Sequence, residues 1–156
     1  MDENQLGAII KDVLAQQSTN YFALAKLEHV VEAAVKRATA LNVGVTIVIL
    51  SQDQVVQMSY HMPNANLVGS TLAPKKAWSA LAMQQPTINL SSQVQPGAEL
   101  YQIETMMAGK LTTFGGGIPL KVHGNLIGAI GVSGGTVAQD QSICETAVET
   151  FMKESD

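Results

Sequence analysis

The chain is poor in cysteine, in aromatic residues and in charge, and each shortage closes a class of function. A single cysteine, Cys144, among 156 residues excludes an internal disulfide and suits a reducing compartment. No Cys-x-x-Cys or His-x-x-x-His spacing occurs, and His29, His61 and His123 are scattered. No protein-only metal cage is therefore expected. Aromatic residues make up 4% of the chain, and 9 Lys and Arg face 13 Asp and Glu for a net charge of −4 without any basic run. Few stacking platforms and no positive patch argue against nucleic acid or a membrane surface as partner. No apolar run approaches the roughly 18 residues of a membrane span. The opening Asp2-Glu3 lacks the basic segment of a secretory signal. A soluble, cytoplasmic protein is expected.

Glycine, by contrast, is concentrated. More than half of the 13 glycines lie between Gly115 and Gly135, in Phe114-Gly-Gly-Gly-Ile-Pro-Leu120 and Ile127-Gly-Ala-Ile-Gly-Val-Ser-Gly-Gly135. Glycine loses backbone entropy on folding, so such density implies positive φ angles or close approach by another backbone or a ligand. His123-Gly124-Asn125 between two apolar runs predicts a hairpin over residues 118–133, preceded by a strand before the triple glycine. Thr136-Val-Ala-Gln139 has the spacing of a capping box and predicts a helix opening at Thr136. Cys144 recurs with Ala147, Val148 and Phe151 at helical spacing, as a buried structural thiol would. The dinucleotide pattern Gly-x-Gly-x-x-Gly is missing.

Upstream, Leu6, Ile9, Ile10, Val13 and Leu14 form a narrow apolar stripe on an otherwise polar helix over residues 3–17. A helix this short needs a surface to cover the stripe. It either packs on its own domain or docks to another protein. A polar linker at 18–21 follows, then a helix from about Tyr21 to Leu41 whose core face carries Leu24, Leu27, Val31, Ala34, Ala38 and Leu41. His29 falls on nearly the opposite face beside Phe22, Ala25 and Ala33. Small residues around one imidazole leave room for a close-packed helix or a flat ligand. Residues 45–50 and 55–60 read as a hairpin, 61–66 as a loop containing His61, and Pro74 places the next helix start near Ala73. Residues 87–110 read as irregular, and the order α, α, β, β, α, irregular, β, β, β, α describes an α+β domain with a mostly antiparallel sheet.

These residues resemble a known family. Lys76-Ala-Trp-Ser-Ala80, Gln85-Pro-Thr87, the two glycine blocks, the His123-Gly124 turn and Gln139-Asp-Gln141 are similar to the GlcG/HbpS-like family, and most of all to the C-terminal domain of PduO-type propanediol-utilisation proteins. The resemblance spans about residues 22–153. It implies a profilin-like or PAS-like fold with a five-stranded antiparallel sheet flanked by helices, to which the N-terminal amphipathic helix would be an addition. It also implies a homo-oligomer and haem, or a corrinoid or other tetrapyrrole, as cofactor. Haem-binding relatives carry a histidine four residues before Ala-Ala-Val, which here is His29 before Ala33-Ala-Val35, making His29 the implied axial iron ligand with Ala25 and Ala33 beside it. Secreted relatives place Glu-x-x-Glu, linked to iron, where this chain has Thr71 and Pro74, so that role is not implied. No adenosyltransferase domain lies within these residues, so adenosyl transfer is not implied either.

The same resemblance gives residues 1–17 a meaning as an encapsulation peptide, docking a shell or cargo protein of a bacterial microcompartment through residues 3–17. The alternative function is that of a small-molecule enzyme or accessory of diol or glycolate metabolism, its site lined by Gly115, Gly116 and Gly117 with Lys76 and Ser133. A non-catalytic scaffold is the third reading.

Overall fold

The computed structural model describes residues 2–18 and 20–155, with side chains described for 2–13 and 20–155. Four of its helices are long: α1 (Glu3–Ser18), α2 (Leu24–Ala40), α3 (Leu67–Met83) and, at the C-terminus, α5 (Val137–Lys153). A 3₁₀ segment, Thr87–Val94, and the single-turn α4 (Ile103–Met106) fill the stretch between α3 and the glycines. The strands are β1 (Thr46–Ser51), β2 (Val56–His61), β3 (Gly117–Val122) and β4 (Asn125–Ser133), all antiparallel in the order β2-β1-β4-β3. No helix among the described residues is long and apolar enough to cross a membrane.

Helices cover both faces of the sheet. β1 is buried along its whole length, and its side chains alternate between two cores. Ile47 and Ile49 join Leu27, Val30, Ala34, Ile130, Ile143 and Phe151 beneath α2 and α5. Val48 and Leu50 point the other way, to Ala73, Ala77, Ala80 and Ala129 under α3. α3 rides low because its inner face is made of small residues opposite a glycine: a Cβ on Gly131 would lie 2.0 Å from the Ala73 carbonyl oxygen.

The α+β class holds, with a sheet of four strands among the described residues rather than five. The strand expected before the triple glycine does not form. The Thr112 amide donates to Ser79 Oγ at 2.8 Å and Thr113 Oγ1 donates to Glu104, so this segment spends its polar groups on helices and builds no ladder. α3 begins at Leu67 instead of near Ala73. Asn66 caps it, its side chain accepting from the Gly69 amide at 2.9 Å, and Pro74 lies inside the helix. Burial of Gly69 and Ala73 against the sheet outweighs the one hydrogen bond that proline removes. His61 closes β2 rather than sitting in a loop, and the "irregular" span contains the 3₁₀ segment and α4. Leu24, expected in the core, opens α2 and is largely exposed.

Other expectations hold. His123 and Gly124, at φ of 48° and 79°, make the two-residue turn of the β3–β4 hairpin. Thr136 accepts from the Gln139 amide while the Gln139 side chain accepts from the Thr136 amide, the reciprocal capping box that starts α5. Cys144 is fully buried at Ile130, and burial pushes its thiol well above the ordinary range, as befits an inert core residue. α1 has its own cap, since Asp2 and Gln5 exchange side-chain-to-amide bonds. Its Leu6, Ile9, Ile10 and Val13 remain between 45% and 50% exposed, while the Leu14 side chain and, in the linker, Thr19 lie outside the described residues.

Candidate functional site

Two groups of residues were singled out by sequence, and the fold places them at opposite ends of α5. The first is the triple glycine. Gly115, Gly116 and Gly117 are buried, and the amides of the last two are used inside the protein: Gly116 donates to Gln141 Oε1 at 2.9 Å and Gly117 to Thr87 Oγ1 at 2.9 Å. A Cβ on Gly117 would meet the Lys76 carbonyl oxygen at 2.3 Å, and one on Gly116, at φ 113°, the Val132 oxygen at 2.5 Å. Close packing between the loop, α3 and β4 thus accounts for the glycines.

Lys76 is the centre of this junction. It is fully buried, with Nζ donating to Asp140 Oδ2 at 2.6 Å and to the Val132 carbonyl at 3.0 Å, and with the Phe114 ring centroid 5.1 Å away. Asp140 also accepts from the Gly135 amide at 2.8 Å. Burial pushes its carboxyl above the usual range, and the Lys76 ammonium pulls it back. Ser133 is buried nearby. Gly131-Val-Ser-Gly-Gly135 has the spacing of a nucleophile elbow, but His61, two strands away, pairs with Thr46 Oγ1 at 2.7 Å instead. The cluster that the enzyme alternative would use as a site is therefore a closed polar junction tying the loop, α3, β4 and α5 together. The Lys76–Asp140 pairing was invisible in the sequence, because 64 residues separate the partners.

The second group lies on α2. His29 points away from the core, its side chain 63% exposed, with Ala25 exposed and Ala33 half-buried one turn on either side. From Gln141 to Glu154 is about 20 Å of helix at 1.5 Å per residue, which sets the separation between the glycine loop and His29. His29 Nδ1 lies 3.0 Å from Glu154 Oε1. With Nδ1 engaged by the carboxylate, Nε2 on the other edge of the ring is the nitrogen left for a metal. Glu32 and Lys36, three and seven residues on from His29, border an open groove of about 570 Å³ between α2 and β2, walled by Val31, Val35, Met58 and Tyr60. An exposed imidazole with one nitrogen held and alanine neighbours fits ligation of a planar macrocycle. The groove alongside, which His29 itself does not line, mixes apolar walls with Glu28, Glu32, Lys36 and Ser59. Among the described residues no group of three or more His, Cys, Asp or Glu could hold a bare metal ion. Glu154 and the groove residues of β2 carried no signal in the sequence, since both meet α2 only through tertiary packing.

Comparison with known proteins places this architecture. The corrinoid adenosyltransferase PduO of Citrobacter freundii is 45% identical over 141 residues, covering 90% of this chain and 42% of that protein. This chain thus spans about two fifths of the PduO relative. A 15.0 kDa protein of the same organism from the dhaT–dhaS intergenic region, of uncharacterised function, is 34% identical over 128 residues, or 82% of this chain and 90% of that one. The crystal structure of a PduOC–haem complex superposes with a TM-score of 0.79 at 46% identity, over 82% of this chain and 93% of that one. The sequence profile described as haem-degrading protein HbpS-like matches residues 22–149. With nearly the whole folded domain inside that match, including the glycine blocks and the capped start of α5, the chain belongs to the HbpS-like family.

Proposed function

We propose that this protein is a haem-binding, homo-oligomeric domain in which His29 Nε2 is the axial ligand to iron. The observation that carries the reading is the likeness to PduOC, solved with haem, at 46% identity over 82% of this chain. The exposed imidazole of His29 supports the same assignment. Bound haem supplies an iron centre for redox or small-ligand chemistry. In this chain, His29 would hold the iron, Ala25 and Ala33 would leave the imidazole accessible to a wide flat ring, and the apolar walls of the groove would take up an edge of it. One side of such a ring would stay open to water on a single protomer, so a second copy closing over this face suits both the homo-oligomer and the ligand.

Titration of the purified protein with haemin tests this. A saturable, red-shifted Soret band is expected, and His29→Ala should lose or shift it while keeping the melting temperature of the apoprotein. An unchanged bound spectrum in His29→Ala would remove His29 from the role. Cobalamin titrated in parallel separates haem from a corrinoid ligand.

Residues 3–17 are proposed as an encapsulation peptide that docks a microcompartment shell or cargo protein, which would place the domain in the compartment lumen. The half-exposed stripe of Leu6, Ile9, Ile10 and Val13 supports this, because a helix belonging to the core would bury it. A chain starting at residue 21 should keep its melting temperature and haem binding but lose co-localisation with the compartment. Ile9→Glu with Val13→Glu should reproduce that loss. A fall in melting temperature of many degrees on truncation would instead assign α1 to the domain.

A further inference from the structure

We infer that Glu154 is the positioning residue of the iron-binding histidine: its carboxylate fixes the ring and tautomer of His29 and makes Nε2 a stronger donor to ferric iron. The inference rests on His29 being the axial ligand. Its basis is a contact across 125 residues, His29 Nδ1 to Glu154 Oε1 at 3.0 Å. The carboxylate is the more sheltered partner, 33% exposed against 63% for the imidazole, so the ring is held from the protein side.

The carboxylate is also presented by a tied turn. Glu154 is the C-cap of α5, and its amide bonds to the Met152 and Thr150 carbonyls. Next to it, Ser155 donates through Oγ to the Phe151 carbonyl at 2.7 Å. Lys26, one turn before His29 on α2, donates to Ser155 Oγ and sits 3.8 Å from the centroid of the Phe151 ring. Two side chains of α2, Lys26 and His29, thus grip the same turn at the end of α5. The last carbonyls of α5 add partial negative charge near the imidazole.

Histidines that ligate metals usually donate their other N–H to a carboxylate or carbonyl, which orients the ring and raises its basicity. An exposed contact of this kind that served the fold alone would contribute little to stability and would leave the properties of a bound metal untouched. The two roles therefore separate experimentally. Glu154→Gln keeps an oxygen that can accept from Nδ1–H but removes the charge, and Glu154→Ala removes both.

Ferric and ferrous haem affinities and the midpoint potential would be measured for wild type, Glu154→Gln, Glu154→Ala and His29→Ala, with the melting temperature of each apoprotein. Loss of such a partner costs about 10–100-fold in metal affinity. For Glu154→Ala we expect ferric haem to bind at least about tenfold more weakly with ferrous affinity little changed, which raises the potential by about 59 mV for a tenfold change in a one-electron couple. Glu154→Gln should shift the potential in the same direction by less. Apoprotein melting temperatures should match wild type. If His29→Ala loses the bound spectrum while both Glu154 variants keep the wild-type potential and ferric affinity, the inference fails and the haem reading stands. If His29→Ala keeps the wild-type spectrum, both fail.

Discussion

Lys76→Met should destabilise the domain by about 3–5 kcal/mol, lowering the melting temperature by roughly 10 °C. The lysine is fully buried, and its loss leaves the Asp140 carboxylate, 3% exposed, without its cation. The Gly135 amide still donates to Asp140 and the Gly134 amide also favours the carboxylate, but neutral donors do not offset a buried charge. The deficit should depend on pH with a definite sign. Burial already holds the Asp140 carboxyl above the ordinary range, and Lys76 is the main influence lowering it. Without Lys76 the folded variant binds a proton more tightly than the unfolded chain does. The missing stability is then larger at pH 7 than at pH 5, and shrinks as pH falls toward the unfolded value of about 4. Adding Asp140→Asn to Lys76→Met removes the orphaned charge, keeps an oxygen for the Gly135 amide and should recover most of the loss. Thermal melts of the three proteins at pH 5 and 7 test this. A single variant within about 2 °C of wild type at pH 7 would show that the pair does not hold the junction together.

The second large effect is expected at Gly131, where β4 and α3 touch backbone to backbone. An alanine there would put its Cβ 2.0 Å from the Ala73 oxygen and 2.6 Å from the Ala77 nitrogen. Neither atom belongs to a side chain that can swing away, so α3 must lift off the sheet and loosen the core it forms with Val48, Leu50 and Ala129. Overpacking typically costs 1–3 kcal/mol, and a backbone clash of this kind belongs at or above about 3 kcal/mol. Gly7→Ala is the control: nothing lies within 4 Å of a Cβ at Gly7, and alanine favours a helix by about 1 kcal/mol over glycine. Denaturant unfolding should show a large loss for Gly131→Ala and none for Gly7→Ala. A Gly131→Ala midpoint equal to wild type would mean that the helix and sheet are not so closely seated.

Local rules made much of the fold legible. The His123-Gly124 turn and the Thr136…Gln139 box are decided by residues two or three apart, so they were readable directly and form as read. Pro74 misled because its cost is local while the gain from burying Gly69 and Ala73 is not. The missing fifth strand has the same origin: the Thr112 amide is claimed by Ser79 on α3, 33 residues away.

The candidate site divides along the same line. By itself the sequence determined the α+β class, the hairpin with its glycines, the inert Cys144 and the amphipathic character of α1. It also determined that His29 stands off the core face among small residues. Each of these follows from periodicity or from a turn's demand on φ, which act over a few residues. Tertiary structure alone decided that the triple glycine closes over a buried Lys76–Asp140 pair, that β2 supplies the groove beside α2, and that Glu154 meets His29 Nδ1. The two side-chain pairings join residues 64 and 125 positions apart, where α3 and α2 each meet α5, and the groove joins α2 to a strand of the sheet. Such contacts depend on how whole elements seat against one another, and burial of the two cores on either side of the sheet sets that seating.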